Sequence, residues 1–358
     1  MNQERLAKVL AEMKKQEVPQ LLISDPTTIF YLTGKMIHPA ERILVLILKE
    51  TGDHVMVVAK IFPVADDMGI ELDFVEDTED GVAHVLSHLD PKQRIGIDKN
   101  WPSHFLLRLM KMSGATDFVN GSSITDDVRA IKSEEEIELM RQASASNDEA
   151  MARLQALIPQ ELNELEMTEK LLEFYRDLGN SGTSFDPIVA YGANGADPHH
   201  ATDTSVVKEG DSIILDIGGV KNGYCSDMTR TVFYKSVSDK SREVFETVLE
   251  ANKRAIEKVK PGVKISEIDD AAREYITEKG YGEYFTHRTG HFIGIECHEA
   301  GDVSGTNDTI AKPGMIFSVE PGIYIPGEVG VRIEDLIVVT EDGYENLNHH
   351  PKELKIIG

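Results

Sequence analysis

The chain is poor in cysteine, in long apolar runs and in positive charge. Its 358 residues include only two cysteines, Cys225 and Cys297. Two thiols cannot staple a chain of this length, so a disulfide-framework fold is excluded and both are expected as buried free thiols. The longest apolar run, Ile43 to Leu48, is far shorter than a helical membrane span, which excludes that class. The opening residues MNQERLAKVLAEMKK show an amphipathic helix pattern, not a charged start followed by an apolar stretch and a cleavage site. No secretory signal is expected, and the protein is read as cytoplasmic. Lysine and arginine total 37 against 62 aspartates and glutamates, a formal net charge of −25. A surface of that sign repels polyanions, which argues against nucleic acids and anionic membranes as partners.

What is present is an ordinary soluble composition, 41% hydrophobic and 28% charged, at a length beyond what one hydrophobic core serves, so two domains are expected. Residues 1–122 alternate helical and strand patterns: helix 3–16, strands 19–24, 43–49 and 54–59, helices 62–68 and 79–89, strand 94–98, helix 102–112 and strand 116–119. That alternation predicts a small α/β layer domain. The boundary is placed at Gly121-Ser122-Ser123, with the second domain over 123–358. There Ser133-Glu134-Glu135-Glu136 opens a long amphipathic helix, with acids where the helix dipole favours them. An internal echo follows. Helix 134–157, Ile158-Pro159 and a helix ending at Gly179 recur as helix 239–259, Lys260-Pro261 and a helix ending at Gly280. A duplication would bring one acidic hairpin from each half together about a pseudo-twofold axis. The alternative is a chance echo of helix-Pro-helix strings.

The hairpins carry the chemistry. Asp216, Asp227, His291, Glu320 and Glu334 sit in the segments LDIGGVKNGYCSDMTRT (215–231), HRTGHFIGIECHEA (287–300), FSVEPG (317–322) and VRIED (331–335). Each segment sets an acid or imidazole in an apolar strand pattern, and buried charge is costly unless paired. Asn222-Gly223 is a strong hairpin signal. A four-residue loop over 220–223 would place Asp216 directly opposite Asp227. Like charges facing across a ladder mean either another register or a shared cation. Glu320 and Glu334 repeat the arrangement around residues 325–330. One imidazole among four carboxylates is the oxygen-rich set that Mn²⁺, Co²⁺ or Fe²⁺ accepts, whereas structural zinc calls for cysteine-rich sites. Four carboxylates exceed the charge of one divalent ion. Two ions per subunit balance it and activate water at neutral pH.

These segments, with SFDPIVAYGANGADPHH (184–200) ahead of them, resemble the signature of the pita-bread metallopeptidases, the family of methionine aminopeptidase, aminopeptidase P and prolidase. The N-terminal half, through IFYLTG (29–34), IGID (95–98) and the joining VRAIKSEEEIELMR (128–141), is similar to the creatinase-type domain of prolidases and aminopeptidases P. The resemblance implies a creatinase-like α/β domain followed by an α+β pita-bread domain, a curved antiparallel sheet backed by paired helices. It implies that Asp216 binds one metal, that His291 and Glu320 bind the other, and that Asp227 and Glu334 bridge both, with Mn²⁺ foremost. It further implies that His199 hydrogen-bonds substrate, that His298 stabilises the tetrahedral intermediate and that Glu320 passes a proton to the leaving nitrogen.

Around these residues the reading leaves alternatives. His287 is a substrate-pocket or supporting residue, and His200 is read as solvated. Arg332 either offsets carboxylate charge and orients a ligand or contacts substrate. Thr229 shares the face of Asp227, and Tyr224 does not. Phe292 stands where relatives carry glycine, either narrowing the pocket or filling core. No arginine lies in 299–319 to grip a substrate carboxylate. Arg332 and the loop GKMIHPAER (34–42), with Lys35, His38 and Arg42, are the alternatives considered, the loop being read as following a strand. The function implied is a homodimeric dinuclear Xaa-Pro dipeptidase acting on short proline-containing peptides. Aminopeptidase P on longer peptides is the alternative, and a non-catalytic binding protein on the same scaffold is the third reading.

Overall fold

The computed structural model describes residues 1–64 and 68–358. The chain divides into two compact units, Met1–Arg129 and Ala130–Gly358. The first is a six-stranded mixed sheet in the order β4-β3-β2-β1-β5-β6, built from β1 (Gln20–Ile23), β2 (Leu44–Lys49), β3 (Val55–Ala59), β4 (Glu71–Val75), β5 (Ile95–Ile97) and β6 (Phe118–Asn120). Helices α1 (Gln3–Lys15), α2 (Pro26–Thr33), α3 (Gly81–Ser87), α4 (Ser103–Ser113) and α5 (Ser122–Ala130) complete it. Runs such as LVLILK in β2, buried along nearly their whole length, supply a core with Leu22, Val57 and Trp101.

Several expectations are corrected here. Residues 26–33 are helical, so the 34–42 loop follows a helix. The Asp25 side chain caps the Thr28 N–H, Pro26 stands at the first turn, and Gly34 ends the helix in the left-handed region, a start and stop that override the strand-like apolar run. Strand β4 was not expected, and the helix expected over 62–68 centres on residues 65–67, outside the described residues. Helix α5 goes with the first unit, not the second. Arg129 at its end donates to Thr28 Oγ1 at 3.1 Å, and the Ser122 hydroxyl at its start accepts from the Lys99 N–H at 2.7 Å.

In the second unit, α6 (Glu134–Leu157) and α7 (Glu164–Asp177) precede strands β7 (Gly182–Thr183), β8 (Ile188–Tyr191), β9 (Ser212–Ile217), β10 (Gly219–Lys221), β11 (Tyr224–Cys225) and β12 (Met228–Tyr234). The second half repeats the plan with α8 (Asp239–Lys258), α9 (Ile265–Glu278), then β13 (Gly290–His291), β14 (Asp302–Val303), β15 (Ile316–Val319), β16 (Gly322–Ile325), β17 (Val329–Arg332), β18 (Asp335–Val339) and β19 (Tyr344–Asn346), before a final β20 (Ile356–Ile357). The echo is structural. Ser133 and Ser238 cap α6 and α8, and at the same distance along each helix a buried asparagine reaches the strands. Asn147 donates to the Ile217 carbonyl at 2.8 Å, and Asn252 to those of Val319 at 2.9 Å and Ile333 at 3.2 Å. Isolated bridges Asn163–Val206 and Lys264–Ile310 repeat at the entry to α7 and α9.

The strand pairs of the second unit are antiparallel apart from the β12–β20 pair, and the ladder is interrupted at 226–227, 320–321 and 333–334. Near these breaks the two hairpins are stitched by Glu334 N–H to the Thr229 carbonyl at 3.1 Å and by Thr231 Oγ1, which donates to the Arg332 carbonyl at 2.8 Å and accepts from the Arg332 N–H at 3.2 Å. Gly330 lets the backbones meet, since a Cβ there would lie 1.7 Å from the Gly195 carbonyl oxygen.

Candidate metal centre

The register of the first hairpin differs from the expectation. Asn222 and Gly223, both at positive φ, form a two-residue turn that closes on the Lys221–Tyr224 pair. The primed turn matches strand twist, so it wins over a four-residue loop. Asp216 therefore faces Thr229, and Asp227 lies in the ladder break one residue before β12. In the second half, Gly322 pairs with Arg332 and Val319 with Asp335, so Glu320 and Glu334 are opposite, as expected. Three of the four acids thus sit at breaks, where a side chain leaves the ladder and turns into the interior.

Asp216, Asp227, His291, Glu320 and Glu334 line one pocket of about 590 Å³. His291 Nε2 stands 3.5 Å from Asp227 Oδ2 and 3.5 Å from Glu320 Oε1, and ligand atoms of Asp227, His291 and Glu334 lie within 4.8 Å of one another. The His291 Nδ1 faces the Phe292 carbonyl at 3.3 Å, which places its proton there and frees Nε2 as an electron-pair donor. Burial pushes Asp216 above the ordinary carboxylate range against the pull of Arg332, and Glu320 up to about 7 against His291 and Arg332, while at Glu334 burial and then Asp227 and Glu320 all push upward. At His291 burial opposes the charged ring, and Asp227 and Glu320 outweigh it.

The donor set fits a cation. Asp216 Oδ1, Asp227 Oδ1 and Glu334 Oε1 are buried with no hydrogen-bond partner among the described residues, a cost a fold retains only when something else satisfies those oxygens. Arg332 answers part of the charge. Its Nη2 donates to Asp216 Oδ2 at 2.6 Å, Nη1 to Tyr324 Oη at 2.8 Å and Nε to Thr229 Oγ1 at 3.2 Å, while the Thr229 hydroxyl donates to Glu334 Oε2 at 2.7 Å. Arg332 is 3% exposed, lines the pocket and is bound on three nitrogens, so it holds Asp216 and, through Thr229, Glu334 in place.

The outer residues separate clearly. His199 and His298 are exposed and line the pocket, the His298 ring lying 4.2 Å from that of His291. His287 lines it too. Its Nδ1 donates to the Arg288 carbonyl at 2.7 Å and its Nε2 accepts from Tyr324 Oη at 2.8 Å, a neutral imidazole whose pKa burial, then Arg332, lowers to about 4. His200 is not solvated, and its Nε2 meets buried Glu164 Oε2 at 2.7 Å, fixing the loop that carries His199. Tyr224 is buried and donates to Glu136 at 2.9 Å. Phe292 is buried against Phe317 with ring centroids 5.6 Å apart, so it fills core. Burial drives both cysteine thiols far above their usual range.

Two residues escaped the sequence reading. Tyr324 joins His287 to Arg332, and its signal was a position diagonal to Arg332 on one strand face. Arg288 is exposed at the pocket, and its guanidinium has no hydrogen-bonded or ionic partner among the described residues. It stands three places before His291, inside a segment already singled out.

The chain is similar to several known proteins. Solved structures that superpose on nearly the whole chain include a dipeptidase from Pyrococcus horikoshii (35% identity, 99% of this chain and 100% of that one, TM-score 0.92). A prolidase from Thermococcus sibiricus matches at 31% identity, 100% and 99% coverage and TM-score 0.94. An Xaa-Pro dipeptidase from Bacillus anthracis matches at 32%, 99% and 99%, and 0.90. The creatinase/prolidase N-terminal domain model matches residues 5–131. With residues 138–341 matching the model of metallopeptidase family M24 around the carboxylate cluster, the chain belongs to that family.

Proposed function

We propose that this chain is a dinuclear Xaa-Pro dipeptidase. The observation that carries the reading is the convergence of four carboxylates and one imidazole from four separate segments on one pocket, with three buried oxygens unpartnered. Asp216 would hold one ion, His291 and Glu320 the other, and Asp227 and Glu334 both, with Mn²⁺ the first choice and Co²⁺ or Fe²⁺ alternatives suited to the same oxygen-rich set. When bound, such ions polarise the scissile carbonyl and lower the pKa of the attacking water.

The chain's own residues supply the rest. Arg332 and Thr229 fix Asp216 and Glu334 so that the pair does not need to reorganise during turnover. His298, at the open side of the cluster, donates a hydrogen bond to the developing oxyanion, and His199 holds the substrate backbone. Glu320 takes the proton of the attacking water and passes it to the departing nitrogen. A prolyl nitrogen is a tertiary amide with no N–H, so this delivery is the step that needs a placed acid. His287, held neutral, shapes the pocket through Tyr324. Phe185, Ile188 and Pro198 provide an apolar wall suited to a prolyl ring.

Arg288 provides for the substrate's free carboxylate the arginine that 299–319 lacks, and this favours a dipeptidase over an aminopeptidase P. The protein is proposed to act as a cytoplasmic homodimer. No described helix is long and apolar enough to cross a membrane. Kinetics of Arg288→Ala on an Xaa-Pro dipeptide and on its C-terminal amide test the assignment. A charge-assisted hydrogen bond contributes about 1.5–3 kcal/mol, so KM should rise by about 10- to 100-fold for the acid and little for the amide. Equal effects on both substrates would move the carboxylate grip elsewhere.

A further inference from the structure

His291 belongs to two groups at once. One is the carboxylate group with Asp227 and Glu334. The other consists of His291, Cys297 and His298, whose sulfur and ring nitrogens also lie within 4.8 Å of one another. The second group contains no carboxylate. A sulfur with two imidazole nitrogens is a soft set, which selects Zn²⁺ or Cd²⁺ over Mn²⁺, and three protein ligands leave a fourth position open.

The geometry is local and built. Cys297 and His298 are adjacent in a turn held by Gly294 N–H to the Glu296 carbonyl at 3.0 Å and by Ile295 N–H to Glu299 Oε1 at 3.0 Å. Glu299 is anchored in turn by Lys132 at 2.9 Å. Cys297 lines the pocket, and its Sγ is 3.3 Å from Asp227 Oδ2, so the sulfur already points at the cluster. The exposed His298 ring lies over that of His291. Because His291 Nδ1 is engaged by the Phe292 carbonyl, the residue has one lone pair, on Nε2, and one lone pair serves one ion at a time.

We propose that His291, Cys297 and His298 form a thiolate site for a soft divalent ion, Zn²⁺ or Cd²⁺, whose occupation takes His291 from the carboxylate-bound ion and switches the peptidase off. As the metal–sulfur bond forms, the S–H bond breaks and its proton leaves to water, while the Nε2 pair passes from one ion to the other. The ligand set stands apart from the proposed substrate, and only the consequence for turnover rests on that reading.

The test adds Cd²⁺ to the full-length, Mn²⁺-loaded protein and follows sulfur-to-cadmium charge-transfer absorption together with free Mn²⁺ by electron paramagnetic resonance. Wild type and Cys225→Val should show the band with release of Mn²⁺, and Cys297→Val should lose it. Cys225 is the control because its thiol donates to the Ile295 carbonyl at 3.3 Å and lies outside the group. NMR of bound cadmium in the wild type reads a thiolate ligand without any variant. No band in the wild type, or a band that survives Cys297→Val, overturns the site. A band without Mn²⁺ release overturns the exclusion. A band with Mn²⁺ release in a protein that cleaves no Xaa-Pro peptide supports the site and refutes only the proposed substrate.

Discussion

Glu334 and Asp335 are adjacent in the chain and equally buried, at 2% and 0% exposure, yet they sit in opposite electrostatic settings. Asp335 takes hydrogen bonds from Arg230 at 2.8 Å and from Lys352 at 2.5 Å. Burial alone would raise its pKa, but those two cations outweigh it and hold it low. Glu334, pointing the other way, has one oxygen on Thr229 and one on nothing, and burial with Asp227 and Glu320 beside it drives its pKa well up. The contrast separates two uses of buried charge. The cluster around Asp335 is closed within the chain and serves the fold, while the cluster around Glu334 is not closed by the chain's own groups and fits a cation.

Removing each acid should break the two clusters differently. Glu334→Gln should lose bound metal and activity by more than the roughly 10- to 100-fold seen when an outer partner of a metal ligand is removed, while the metal-free fold is no less stable. Metal content and circular dichroism of the same preparation check both halves of that statement. Asp335→Ala should instead leave Arg230 and Lys352 unpaired and lower stability by about 3–5 kcal/mol in denaturant titration, the scale for breaking a buried ion pair. A stable Asp335→Ala protein without activity would erase the contrast.

Smaller effects sharpen it. Thr229→Val removes the hydroxyl that links Arg332 to Glu334, and should weaken metal affinity or turnover by about 10- to 100-fold. The pH dependence should differ in sign between the clusters. Glu320, held up to about 7, contributes stability below the ordinary carboxylate pKa that is lost as pH rises through about 7, and Asp216 and Glu334, raised as well, act in the same direction. The melting temperature of the chelated protein should therefore fall between about pH 5 and pH 8, and Mn²⁺ should abolish the fall. Asp335, held low, contributes at neutral pH and is lost on acidification.

Much of this was legible in sequence because charge in an apolar strand pattern is conspicuous. The second hairpin followed from the position of its turn, and the duplicated helices from their caps and prolines. What was not legible had local causes. The position of Asp216 depended on whether Asn222-Gly223 closes a two- or a four-residue turn, and a shift of two residues keeps every side chain on its face. Strand β4, ELDFV with only Val75 buried, lacks the apolar run of its neighbours. Helix α2 is set by its cap and stop, not by periodicity. His200 and Arg288 look alike as polar loop residues, and only the fold separates the one held by buried Glu164 from the one left free at the pocket.

The central claim is that the cluster around Glu334 is a metal centre for dipeptide hydrolysis. Stripping the protein with a chelator, restoring Mn²⁺ and comparing an Xaa-Pro dipeptide with the matching Xaa-Pro-Xaa tripeptide tests it directly. Metal-dependent cleavage of the dipeptide with little of the tripeptide is the predicted result. Preference for the tripeptide would make the protein an aminopeptidase P, and hydrolysis of neither after full metal loading would contradict the account.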